Sequence, residues 1–238
     1  MKQLEKAVQK DIPYLADAME KLCADMLIFR YQLSHTDESK RNCTKSLEVL
    51  LESAKDYAKT DQKLREIRKD RKQLLAEKQG LSPIHVFRHK ELSARITEKT
   101  EDAEELKARK ISILKRAGLP DEADNTELNQ RIASLEKLIQ KLDNQHQKFS
   151  HLLEETQKKY ADLQEQAAHV NDAELDEARR NAKKEHTDYA IKRIQNTFGE
   201  KFSVVRMMEA RKSVERIMRR MEYIPQKQQF QKSAKGYE

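Results

Sequence analysis

His85 and His89 stand four residues apart in the run Ile84, His85, Val86, Phe87, Arg88, His89, Lys90. On a helix that spacing puts two imidazoles on one face, as metal ligands would be. A zinc site needs a third protein ligand. The next acidic residue, Glu91, is two positions on and points elsewhere, while Arg88 and Lys90 repel a cation. The run therefore reads as a basic helix end whose Val86 and Phe87 pack into a neighbouring segment, and no metal is expected. A phosphate-cradling glycine loop, a nucleophile elbow and paired zinc ligands of usual spacing are all missing. No catalytic residue and no cofactor are assigned, and the chain is not expected to be an enzyme.

The second chemical feature is charge. Net charge is +7, but residues 177–238 hold sixteen Lys and Arg against eight Asp and Glu, leaving 32 basic and 33 acidic residues in 1–176. Such an end suits nucleic acid phosphates, or else an acidic protein or membrane surface, or simply solubilises the chain. For DNA contact the candidates are Arg179, Arg180, Lys183, Lys184, Arg211, Lys212, Arg216, Arg219 and Arg220. Aromatic residues interleave poorly with them, so no stacking platform for single strands is expected. Met207, Met208, Met218 and Met221 read as adaptable packing surface.

The elements that must carry these residues are helices. Charged residues make up 37% of the 238 and aromatics 5%, mean hydropathy is -0.97, and there are only 4 Gly and 4 Pro, too few for many strands and tight turns. Leu128, Ile132, Leu135, Ile139, Leu142, His146, Phe149, Leu153, Thr156, Tyr160, Leu163, Ala167 and Val170 alternate by four and three, the heptad stripe of a coiled coil. The fold expected is all-α: an elongated coiled coil with a central antiparallel helical hairpin and short C-terminal helices. Self-association is assigned to Leu135, Ile139, Leu142, His146, Phe149 and Leu153, which makes a homo-oligomer the expected state. His146 and Thr156 sit where Leu would pack better, at a solvated break in the seam or as register-setting polar residues.

Along the chain, residues 1–80 read as one long amphipathic helix. Asp11 would cap it, Pro13 would sit in its first turn, and Gly80, Ser82 and Pro83 would end it. Residues 81–171 read as the coiled-coil hairpin, with a second helix over 83–117 closed by Gly118, Leu119 and Pro120. Residues 172–223 read as basic C-terminal helices and 224–238 as a disordered tail. Cys23 and Cys43, twenty residues apart, lie on the order of 30 Å from each other on one helix and cannot bridge within it. No apolar run approaches the roughly 20 residues that cross a bilayer, and Met1–Lys10 lacks the apolar stretch of a secretory signal, so a cytoplasmic protein with no integral membrane segment is expected.

Five stretches resemble the C-terminal region of relaxase or mobilisation nuclease proteins from Firmicutes conjugative and mobilisable elements. They are DIPYLADAMEKLCADMLIFRYQLSH (11–35), AKDYAKTDQKLREI (54–67), FRHKELSARITEKTEDAEELKARK (87–110), YADLQEQAA (160–168) and AELDEARR (173–180). In that family an N-terminal domain nicks one DNA strand with a catalytic Tyr and a metal held by a histidine cluster. Nothing here matches that domain, and no His-x-His occurs, so no catalytic residue is carried over. The resemblance implies a helical tail serving the nuclease through self-association, contact with DNA, or docking to the nuclease domain or the transfer machinery. Beginning at Met1, the chain reads as a split product, a remnant or a piece of a longer relaxase.

Overall fold

The computed structural model describes the backbone of residues 2–234 and the side chains of residues 11–222. All regular structure among them is helical: α1 (Lys2–Gly80), α2 (Val86–Arg116), α3 (Asn125–Ala167), α4 (Asp172–Phe198) and α5 (Val204–Ala234), with a 3-10 turn at Gly199–Lys201.

The helix ends follow from local chemistry. Gly118 takes φ 68°, and behind it Gly118 N–H donates to Lys115 and Leu119 N–H to Leu114. This is the left-handed closure that a Cβ disfavours, and it ends α2. The Asp124 carboxylate accepts from Thr126 N–H at 2.7 Å and Glu127 N–H at 3.0 Å, starting α3. Asn171 does the same for α4 through Ala173 N–H. α1 begins earlier than Asp11, so Pro13 lies inside it, and the polar middle of α1 stays helical. Residues 224–234, expected to be disordered, continue α5 to Ala234; residues 235–238 lie outside the described residues.

Two compact units divide the chain, one of Arg41–Lys141, the other of Met1–Lys40 with Leu142–Glu238. In the first, α2 runs antiparallel along α1. Arg88 pairs with Glu77, Lys110 with Asp61 and Arg116 with Asp56, so α1 is met further back as α2 advances. Where α2 ends, α3 takes over the same partner: Leu128, Ile132 and Leu135 join Ile113 and Leu114 around Leu47, Leu50 and Tyr57 of α1. The expected pairing of α2 with α3 as an antiparallel hairpin is therefore corrected. Both lie in succession against α1, because the acids answering Lys110 and Arg116 are on α1.

The second unit is a four-helix bundle around the first part of α1. Asp37 and Lys40 meet His146 and Asp143, so α3 is antiparallel to α1 here as well. Arg179 lies at Glu20 and Phe198 at Tyr31 and His35, so α4 runs parallel to α1. Ser203 lies at Tyr31 and Met218 at Cys23, so α5 returns antiparallel. The result is an up-down-up-down arrangement. With partners on several sides, α1 buries Ile12, Leu15, Ala16, Met19, Ala24, Met26, Leu27, Ile28, Tyr31, Leu33 and Thr36, far more than one stripe. Tyr31 is fully buried and its hydroxyl accepts from Ser203 N–H at 2.8 Å, fixing the turn between α4 and α5.

Candidate nucleic-acid interface

The nine cations chosen from the sequence do not share one environment. Arg179 turns inward. Its Nε donates to Glu20 Oε1 at 2.9 Å and its Nη2 to the Tyr160 hydroxyl at 3.1 Å, and the Glu20 side chain is only 7% exposed. Burial works against the Arg179 charge, but the Tyr160 oxygen and the Glu20 carboxylate outweigh it and hold the pKa above the ordinary guanidinium value. Arg179 thus ties α4 to α1 and α3. A charge already desolvated and paired has little to offer a phosphate.

Arg180, Lys183 and Lys184 are exposed on α4. Lys183 edges a cleft between α1, α4 and α5 whose wall includes Glu20, Cys23, Arg211 and Met218. Cys23 S–H donates to Met218 Sδ at 3.5 Å, and burial pushes its thiol pKa up to about 12. Arg211 pairs with Glu215 one turn on, at 3.4 Å. Lys212, Arg216, Arg219 and Arg220 are all exposed and, at about 100° per residue, share the outer face of α5 opposite Ala210 and Val214. Arg206 is not on that face and pairs with Glu38.

Sequence reasoning missed Arg30. It lies inside the apolar stretch of α1, yet its Nε is buried with no hydrogen-bond partner. Burial, and then the neighbouring charge of Arg216, lower its pKa. The only sequence signal was a guanidinium set in the run Met26 to Leu33, where every other position but Gln32 is apolar or aromatic.

The heptad residues are placed as their spacing requires, but their partner is internal. Leu142 and Leu153 are buried; Leu135, Ile139, His146 and Phe149 are half-buried. Leu135 packs in the cluster with Leu47 and Leu50, Phe149 and Leu153 in the bundle core, and His146 Nε2 is 3.2 Å from Asp37 Oδ1. Within the chain, α1 takes the stripe on which these six side chains lie. Nor do Val86 and Phe87 pack into a neighbour. They are 55% and 91% exposed, because α2 begins only at Val86 and His85 lies outside the helix at its N-cap. Among the described residues no three His, Cys, Asp or Glu converge as a metal site would need. None of their helices is long and apolar enough to cross a membrane.

Comparison with known proteins gives no matching family model, no matching curated protein and no matching solved structure.

Proposed function

We propose that the chain is a non-catalytic helical interaction module of a relaxase-like DNA mobilisation protein, holding DNA by its phosphates without reading sequence. The contact surface is the outer face of α5, with Arg30 beside it. The single observation that carries this reading is the Arg30 Nε, buried with no hydrogen-bond partner while the charge of Arg216 acts on it. A buried N–H ordinarily has a hydrogen-bonding partner, and the charge that acts on this half-buried guanidinium is that of another cation. A phosphate oxygen satisfies both groups, and Lys212, Arg219 and Arg220 extend the same positive face.

In this reading the bundle is a scaffold that aims α5, and the nuclease domain or transfer machinery supplies the chemistry. Self-association, if it serves the module, uses a surface other than the α3 stripe. The test is affinity of the purified chain for double-stranded DNA across a salt series. Each phosphate contact contributes about 0.9 to the slope of log affinity against log salt, so replacing Lys212, Arg216, Arg219 and Arg220 by Gln lowers that slope by roughly three to four. Arg30→Gln weakens binding too, whereas Arg180→Gln changes it little. Absence of binding at low salt overturns the reading.

A further inference from the structure

The connection between α1 and α2 holds the most exposed apolar side chains among the described residues. Ile84 is 86% exposed and Phe87 91%, with Val86 between them at 55%. Scattered apolar residues on a surface are ordinary, but these fall within four consecutive positions at the end of a two-helix hairpin. The helix geometry keeps them there. His85 N–H donates to Ser82 and Val86 N–H to Ile84, a tight turn that leaves no neighbouring segment to cover the side chains.

The same end is basic. Residues 62–95 hold ten Lys and Arg against four Asp and Glu, a net of +6, and the stretch from Lys78 to Lys90 has no acidic residue. α2 itself starts with no side-chain cap and no acidic residue in its first turn, so its positive dipole end also faces outward. Arg88 bonds Glu77 at 2.6 Å and Glu91 at 2.9 Å, which holds the two helices together directly behind the apolar residues.

We infer that this hairpin end docks on an anionic lipid bilayer, with Ile84, Val86 and Phe87 entering the headgroup and acyl boundary and the surrounding Lys and Arg meeting lipid phosphates. The combination decides the occupant. Nucleic acid would take the cations and leave Phe87 and Ile84 in water, whereas a negatively charged membrane surface satisfies both. The convex shape of a turn between two helices suits entry into a soft boundary, and Lys72, Lys78 and Lys90 have stems long enough to reach headgroups around it.

The chain contains no Trp, so Phe87→Trp in the full chain gives a single reporter at the tip. With vesicles of phosphatidylcholine and phosphatidylserine, the expected result is co-sedimentation with a blue shift of the Trp emission, and neither with phosphatidylcholine alone. In the otherwise native chain, the double substitution Ile84→Asp and Phe87→Asp weakens vesicle binding roughly tenfold or more. Both side chains are exposed, so helicity by circular dichroism stays unchanged and a loss is not one of folding. Three results overturn the inference: no co-sedimentation, as for a tip made to fill a pocket on an acidic protein; co-sedimentation without a blue shift, as when another basic surface binds; or full binding by the double variant. No DNA is present in this assay, so its failure is distinct from failure of the DNA reading.

Discussion

Arg179 on α4 and Glu20 on α1 are 159 positions apart in sequence and share a hydrogen-bonded ion pair of 2.9 Å inside the bundle, with the Tyr160 hydroxyl on α3 completing the guanidinium's contacts. Two charges taken out of water are stable only together. Removing one partner of such a pair costs about 3–5 kcal/mol, whereas an exposed surface charge matters by no more than about 0.5 kcal/mol. Arg179→Leu should therefore lower the urea unfolding midpoint sharply, and Arg180→Leu, one residue on, should leave it nearly unchanged. Glu20→Leu combined with Arg179→Leu should recover part of the loss, because no uncompensated charge remains. Equal effects of the two Arg substitutions would remove the pair from the account of bundle stability.

Cys23 lies one turn from Glu20, in the same interior. Burial, with the carboxylate of Glu20 adding to it, raises its thiol pKa to about 12, so at pH 8 almost none of it is thiolate. Only the thiolate attacks alkylating reagents. Iodoacetamide at pH 8 should label Cys43 in the native chain and reach Cys23 only after denaturant is added. Peptide mapping distinguishes the two, and rapid native labelling of Cys23 would contradict the packing of α5 over it.

The unit of residues 41–141 is sensitive to acid through Asp124 at the start of α3, held low by the backbone N–H of Glu127, and through the two carboxylates that tie α2 to α1. The hydrogen bond from Lys110 holds the Asp61 pKa below the usual carboxylate range, and Arg116 does the same for Asp56. A carboxyl with a depressed folded pKa contributes stability above its unfolded pKa, near 4, and loses it as pH falls through the folded value. Asp25 in the bundle goes the other way: burial raises its pKa, so its cost is present at neutral pH and is relieved in acid. Lowering the pH from 5 to 3 should therefore loosen α2 before the bundle, seen as earlier loss of hydrogen-exchange protection over 86–116. Lys110→Met should reduce that difference, and loss of protection in both units together would count against it.

How far these features were legible depends on the number of partners each helix has. All thirteen residues of the four-three stripe, twelve of them on α3, are buried or half-buried, because a helix pressed on one side must place its apolar residues on one face. A stripe states that a partner exists and leaves its identity open, which is why the pairing of α2 with α1 was invisible. There Lys110 interrupts the apolar pattern, and the interruption is where Asp61 and the Tyr57 ring meet it. On α1 a four-three spacing runs through Ile12, Leu15, Met19, Leu22, Met26, Phe29 and Leu33 and passes over Ala24, Leu27 and Tyr31, whose burial comes from additional neighbours. The charge count by chain end also averaged away the basic hairpin end, since residues 142–176, with three Lys against eight Asp and Glu, offset most of it. Arg179 joined the candidate DNA contacts because nothing local reveals an acid that folding brings from a distant helix.

The intrachain fate of the α3 stripe makes a last prediction that separates it from a seam between copies. Leu153 is buried in the bundle core and Leu142 on the same stripe, so each large-to-small substitution leaves a cavity as well as removing apolar burial. Leu153→Ala should cost about 2–5 kcal/mol. A seam between chains would make the unfolding midpoint rise with protein concentration, because assembly stabilises the folded state by mass action. With α1 as the partner, the midpoint of the native chain and of Leu153→Ala should be the same at low and at high concentration, and Ile139→Asp with Leu142→Asp should reduce helicity without releasing a subunit. A midpoint that climbs with concentration and falls with the aspartate pair would return the stripe to a second copy. Such a result is incompatible with Phe149 and Leu153 lying in one core with the α1 residues Met19, Met26 and Tyr31.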